Sequence, residues 1–150
     1  MFNGRLGAVY LKGKERIIMA EESREAVGSA FELEYVTSAV SMLANDGIVV
    51  HVVNDSGRAE STRVVIYKNT GAGAITVSDT GSVVVTPTWS WGLGFTVKDS
   101  GEYWLRIQAT SESLIPKASF ERADAGTWKP VVGYLPGDFA IFSLARKRIW

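Results

Sequence analysis

Short β-branched and aromatic runs, each stopped by a turn signal, recur along most of this chain, and that rhythm constrains its fold more than any other feature. The runs are residues 47–54, 62–68, 74–77, 82–87, 94–97, 102–110, 116–122, 128–134 and 139–144. Residues 6–11, 16–20 and 30–36 are further candidates upstream. Four near-repeated triplets lie among them: Asn45-Asp46-Gly47, Asp55-Ser56-Gly57, Asp79-Thr80-Gly81 and Asp99-Ser100-Gly101. An Asx or Ser side chain caps a turn, and glycine accepts the positive φ that tight hairpins require. Strands at such short spacing joined by Asx-Gly turns form hairpins and pair antiparallel. The expected fold is therefore all-β, an antiparallel β-sandwich of immunoglobulin-like or jelly-roll-like kind, with little helix.

Two segments are helix candidates. Residues 21–28 allow one or two turns ending at Gly28. Residues 37–45 read either as a helix or as a strand feeding the Asn-Asp-Gly turn. No repeat or linker divides the chain, so residues 1–150 are read as one domain, long enough to bury a core without metals or disulfides. Lys+Arg 16 balances Asp+Glu 16 with no long basic run, which removes the electrostatic basis for nucleic-acid or anionic-membrane binding. No apolar run is long enough to span a bilayer. The N-terminal apolar stretch is too short and too broken by glycine for a signal peptide. Cysteine is absent, which excludes a disulfide scaffold, a thiol nucleophile and thiolate metal sites, and favours a cytoplasmic location.

Side chains alternate across a strand, so each run divides into two faces. Tyr103, Leu105 and Ile107 form a core face, opposite Glu102, Trp104, Arg106 and Gln108. Ile48, Val50 and Val52 are expected inside, opposite Val49, His51 and Val53. Val64 and Ile66 are expected inside, opposite Arg63, Val65 and Tyr67. Phe120 shares a face with Ala118 and Arg122. If these strands are neighbours, one sheet face carries His51, Arg63, Tyr67, Trp104, Arg106 and Gln108 together. The competing reading is a solvated sheet face on which arginine stems lie across aromatic rings.

The segment Pro87-Thr88-Trp89-Ser90-Trp91-Gly92-Leu93-Gly94-Phe95 is the second unusual feature. In extended chain Trp89 and Trp91 point the same way and form a stacking platform for a sugar ring or a base. A core plug or an oligomer interface is the alternative, favoured by the usual burial of tryptophan.

Catalytic chemistries find little to use. His51 is the only histidine and lies mid-strand among valines, with no nucleophile-elbow motif for a Ser-His-Asp triad. One imidazole and no thiol leave a metal centre to carboxylates, and nothing is spaced for that. The glycine-rich stretch Asn69-Thr70-Gly71-Ala72-Gly73 runs into a strand-like segment rather than a helix, so it reads as a hairpin loop and not a phosphate cradle. Glu102, Glu121, Asp124 and Asp138 are the acids available for carboxylate-pair hydrolysis.

Residues 51–124 resemble the small cytoplasmic β-sandwich family of the sensory-rhodopsin transducer. The likeness lies in Val52-Val53-Asn54-Asp55-Ser56-Gly57 followed by Val64-Val65-Ile66-Tyr67. It continues in Ile107-Gln108-Ala109-Thr110-Ser111, then Ile115-Pro116 and Arg122-Ala123-Asp124. Phe120-Glu121 stands where that family has a glutamine-histidine pair, so the resemblance implies no particular ligand residue. It implies an oligomeric, non-enzymatic binding or signalling module.

The sequence thus leads to an expected non-catalytic module without cofactor or metal. It binds a small molecule, a carbohydrate among the options, through Trp89, Trp91, Trp104, Arg106, Arg63, Tyr67, His51 and Gln108. The alternative is an assembly protein whose aromatic faces, or whose C-terminal Arg148-Ile149-Trp150, form homo-oligomer contacts. A carboxylate-using hydrolase comes third.

Overall fold

The structure is a computed structural model that describes residues 31–144. The strand candidates at 6–11 and 16–20, the helix candidate at 21–28 and the Arg148-Ile149-Trp150 tail lie outside the described residues. The strands are β1 (Leu33–Val36), β2 (Val40–Met42), β3 (Gly47–Asn54), β4 (Glu60–Thr70), β5 (Gly73–Asp79) and β6 (Val83–Val85). They continue with β7 (Ser90–Thr96), β8 (Gly101–Ala109), β9 (Leu114–Asp124), β10 (Thr127–Tyr134) and β11 (Ala140–Ser143). A 3-10 turn at Pro136–Asp138 separates the last two.

Two antiparallel sheets result, as the alternating runs require. The smaller has the order β10-β9-β3-β7; the larger has the order β11-β1-β8-β4-β5, with β2 also on β8 and β6 also on β4. The sheets pack as an all-β sandwich. The ambiguous segment 37–45 holds β2, three residues long, and no helix. Thr37 marks the break between β1 and β2, where its hydroxyl accepts the Leu105 N–H at 3.0 Å and closes a gap in the ladder. No helix among the described residues is long and apolar enough to cross a membrane.

The core is the set of inward residues that the alternation selects. Ile48, Val50 and Val52 from β3 meet Val64 and Ile66 from β4, Leu105 and Ile107 from β8, and Phe120 from β9, all buried. Aromatic rings extend it: Tyr35 stands edge-on to Phe139 at 5.8 Å, Phe139 lies 5.4 Å from Tyr134, and Tyr134 is 6.0 Å from Phe120. Trp91, Leu93 and Phe95 pack partly buried along the β7 margin. Ordinary antiparallel alternation explains this division between covered and solvent-facing sides.

Three of the four turn triplets differ clearly in what they do. At Asp79-Thr80-Gly81 the expected chemistry holds: Gly81 has φ 66° and its N–H donates to Asp79 Oδ1 at 2.9 Å. At Asn45-Asp46-Gly47 the left-handed residue is Asn45, φ 78°, and not the glycine. Gly47 is required for a different reason, since a Cβ there would overlap the indole of Trp128. In the Asp55-Ser56-Gly57 turn the capping side chain is the preceding Asn54, whose Oδ1 accepts the Ser56 N–H at 3.0 Å.

Candidate functional site

On the outer face of the larger sheet, β8 contributes Glu102, Trp104, Arg106 and Gln108, while β4 contributes Arg63, Val65, Tyr67 and Asn69. Register sets their contacts: Arg63 lies opposite Gln108, Val65 opposite Arg106, and Tyr67 opposite Trp104. On the other flank of β8, Glu34 of β1 lies opposite Gln108.

The Tyr67 and Trp104 rings stack with centroids 4.2 Å apart and 20° between planes. The Arg106 guanidinium lies 5.3 Å from the Tyr67 centroid and 5.9 Å from that of Trp104, and it donates to the Tyr67 hydroxyl at 3.0 Å. Its Nε pairs with Glu34 Oε2 at 3.0 Å. Glu34 Oε1 accepts from Gln108 Nε2 at 3.2 Å. The Trp104 indole N–H donates to Asn69 Oδ1 at 3.1 Å, and Asn69 Nδ2 donates to Glu102. On the same face Arg63 makes a forked pair with Asp79, at 3.0 and 2.7 Å.

These contacts have electrostatic consequences. Burial pushes the Tyr67 phenol above its ordinary pKa, with the Arg106 charge pulling the other way, so the group stays a neutral hydroxyl at physiological pH. The Arg63 guanidinium holds the Asp79 carboxyl below its ordinary value. Gln108 is 4% exposed, and its Oε1 is buried with no hydrogen-bond partner among the described residues. Being buried, that oxygen is closed to solvent, and leaving it unpaired costs stability. Val65 is also covered, at 4% exposure, although it was expected on the solvent side. Arg63, Tyr67 and Arg106 flank it, and their long side chains shield a small one.

Five of the expected site residues therefore meet: Arg63, Tyr67, Trp104, Arg106 and Gln108. His51 does not join them. It is on β3, in the other sheet, exposed, with its ring over Gly92 and with Lys117 as its cross-strand neighbour. Trp89 and Trp91 do not form a platform either. Trp91 turns into the core margin, whereas Trp89 precedes β7 in a turn and is 67% exposed. Thr88, with φ 62°, lies in the turn that leads into Trp89, whose N–H donates to the Thr86 carbonyl.

The acids named for hydrolysis are divided between the layers: Glu102 is on β8 and Glu121 and Asp124 are on β9, in opposite sheets. Asp138 is engaged locally, accepting the Leu135 N–H at 2.9 Å. Among the described residues no group of three or more histidine or acidic side chains gathers to hold a metal ion.

Sequence reasoning missed Glu34 and Asn69, which stitch the layer together from either flank. Glu34 sits between apolar neighbours Leu33 and Tyr35 and so was legible as an outward residue, but its proximity to Arg106 depends on β1 pairing with β8.

No family model matches the sequence, and no curated protein matches it. The fold is similar to that in the crystal structure of Thermotoga maritima 1070, with a TM-score of 0.50 and 9% identity, covering 70% of this chain and 95% of that one. At that identity the likeness establishes the shared architecture alone.

Proposed function

We propose that this chain is a non-catalytic binding or signalling module of the cytoplasm that takes a small molecule on the outer face of its larger sheet. The observation that carries this reading is the joined layer of Glu34, Arg106, Gln108, Tyr67 and Trp104, fixed by contacts from three adjacent strands. A face already held in one geometry loses little conformational freedom on binding. The exposed Glu102 carboxylate and the half-buried Asn69 amide on this face favour a ligand with hydroxyl or amine donors, and a carbohydrate has that chemistry. The stacked rings present themselves to a ligand by their edges and outer sides, since their facing sides are occupied by one another. The resemblance to the transducer family supports a signalling role over a catalytic one.

The test is a two-dimensional NMR titration with a panel of mono- and disaccharides, amino sugars and amino acids. A ligand is expected to shift the Trp104 indole and Gln108 amide signals, and Gln108→Ala or Trp104→Ala is expected to weaken it about tenfold or more. Shifts centred on Trp128 or His51, or none across the panel, would overturn the reading.

A second reading, assembly through apolar surface, has its own support on the smaller sheet. Val53 and Ile115 are cross-strand partners there, 40% and 36% exposed, and Trp89 is close by along the chain from Ser90, the other partner of Val53.

A further inference from the structure

Edge strands govern what a sandwich can pair with, because each carries a row of backbone N–H and C=O groups without a neighbour. Of the six strands paired on one side only among the described residues, five have a feature that discourages further pairing, and two of these, β2 and β6, are just three residues long. β10 carries Lys129, Pro130 and a break in register. β5 has a register shift in its pairing with β4 and ends on Asp79. β11 is only four residues long. β7 has none of these: Ser90–Thr96 contains no charge and no proline, and it pairs with β3 without a break.

The phase of the β3–β7 ladder shows which groups are free. At its ends the Asn54 N–H donates to the Trp89 carbonyl, and the Val97 N–H donates to the Asp46 carbonyl. Antiparallel partners alternate between residues bonded to the neighbour and residues turned away from it. Between those two ends, Trp91, Leu93 and Phe95 bond inward to β3. The backbone groups of Ser90, Gly92, Gly94 and Thr96 point outward, and all four residues are exposed.

We infer that β7 is the docking edge for a second copy of this chain, with the two β7 strands pairing antiparallel about a twofold axis at Leu93. The strand is complementary to itself in this register. Ser90 faces Thr96 and Gly92 faces Gly94, every member drawn from the outward-pointing set. A slip of one residue sets outward groups against inward ones and loses the bonds. Side chains agree with the backbone: Leu93 meets Leu93 of the second copy, and Trp91 meets Phe95 of the second copy. The half-buried margin of each core is then covered by the same margin of the other. Glycines at 92 and 94 leave the outward side of the junction free of side chains. A chain with formal net charge +0 has no overall repulsion to keep copies apart, and a twofold is the commonest closed symmetry. This edge is separate from the outer face of the larger sheet, so the inference stands whether or not that face binds a small molecule.

Gly94→Pro is the discriminating variant. Its missing N–H is one that faces the free edge, so the bonds to β3 survive. A Cβ at that position also meets nothing closer than Trp128 at 4.0 Å. Sedimentation velocity from low-micromolar to sub-millimolar concentration is expected to show a dimer for the native sequence. Gly94→Pro is expected to weaken it at least about tenfold, since each of two symmetric junctions loses a hydrogen bond. Hydrogen exchange on the unaltered protein gives an independent readout: the Gly92, Gly94 and Thr96 amides are expected to slow as concentration rises. A native monomer throughout, a folded Gly94→Pro variant that dimerises equally well, or a dimer whose β7 amides exchange as fast as in the monomer would each overturn the inference. Protection of those amides in a monomer by an unrelated extended peptide would assign the edge to another protein instead.

Discussion

Replacing Asp46 by Asn is expected to destabilise the fold by about 2–4 kcal/mol at neutral pH. Asp46 is 1% exposed. Its carboxylate accepts the Leu43 N–H at 2.7 Å, the Ala123 N–H at 2.9 Å and the Arg122 Nε at 2.8 Å. It therefore ties the β2–β3 turn to the end of β9. Hydrogen bonds to a charged acceptor contribute roughly 1.5–3 kcal/mol each, and an orphaned buried donor costs about 1–3 kcal/mol. Asparagine keeps one acceptor but sets its NH2 against the second backbone N–H, so one charged-acceptor bond is lost and one donor is stranded. The Arg122 side chain is 40% exposed, which reduces its share to about 1 kcal/mol or less.

The pH dependence of this carboxylate provides the sharper assay. Burial raises its pKa, but the two backbone N–H groups and the Arg122 guanidinium outweigh burial and hold it below the ordinary carboxylate value. A lowered folded-state pKa gives stability that is fully present above the unfolded value, about 3.9, and lost as pH falls through the folded one. Urea unfolding of both proteins from neutral pH down to about pH 2 should show the gap between native and Asp46→Asn narrowing in acid. Asp79 is lowered as well, by Arg63, but it is common to both proteins and cancels in the difference. A gap under about 0.5 kcal/mol at neutral pH, or curves that stay parallel into acid, would refute the reasoning.

Leu105→Ala or Ile66→Ala, both at 0% exposure, should cost about 2–5 kcal/mol, whereas Arg63→Ala, one third exposed and paired with a similarly exposed Asp79, should cost about 1 kcal/mol or less. The reverse order in chemical denaturation would invert the assignment of faces. Gly47→Ala should destabilise by about 1–3 kcal/mol by overpacking Trp128, and adding Trp128→Ala should recover much of that loss. Purely additive effects in the double-mutant cycle would show that the indole is not the obstacle. Far-ultraviolet circular dichroism should be strand-dominated, and helical content of a third or more would contradict the two-sheet architecture.

The fold was legible because its signals are local. A period of two fixes the side of the strand each residue faces, and Ile48, Val50, Val64, Ile66, Leu105 and Phe120 follow it into the core. Legibility failed where a residue's surroundings come from another strand. Val65 alternates outward as expected yet is covered, because an outer face with two arginines and a tyrosine around one valine is not a solvated face. The run at 94–97 began too late, for the strand starts at Ser90 and passes through Gly92. On an edge strand, glycine leaves the backbone bare without ending the strand.

The candidate site shows the same division. Trp104, Arg106 and Gln108 share a face because they share a strand, and the sequence is sufficient for that. Joining Arg63 and Tyr67 to them required β4 to pair with β8, which it does. Adding His51 required β3 to lie in the same sheet, and the chain instead crosses between layers from β3 to β4. The turn triplets make the point most directly. Asn45-Asp46-Gly47 and Asp79-Thr80-Gly81 are nearly alike as text, yet Asp79 caps its own turn from the surface and pairs with Arg63, while Asp46 is a buried tie between distant strands. What separates them is neither composition nor spacing but the presence of β9 over the first turn. A short motif specifies the local bend; the sheet that closes over it determines whether the same carboxylate is solvent-facing or structural.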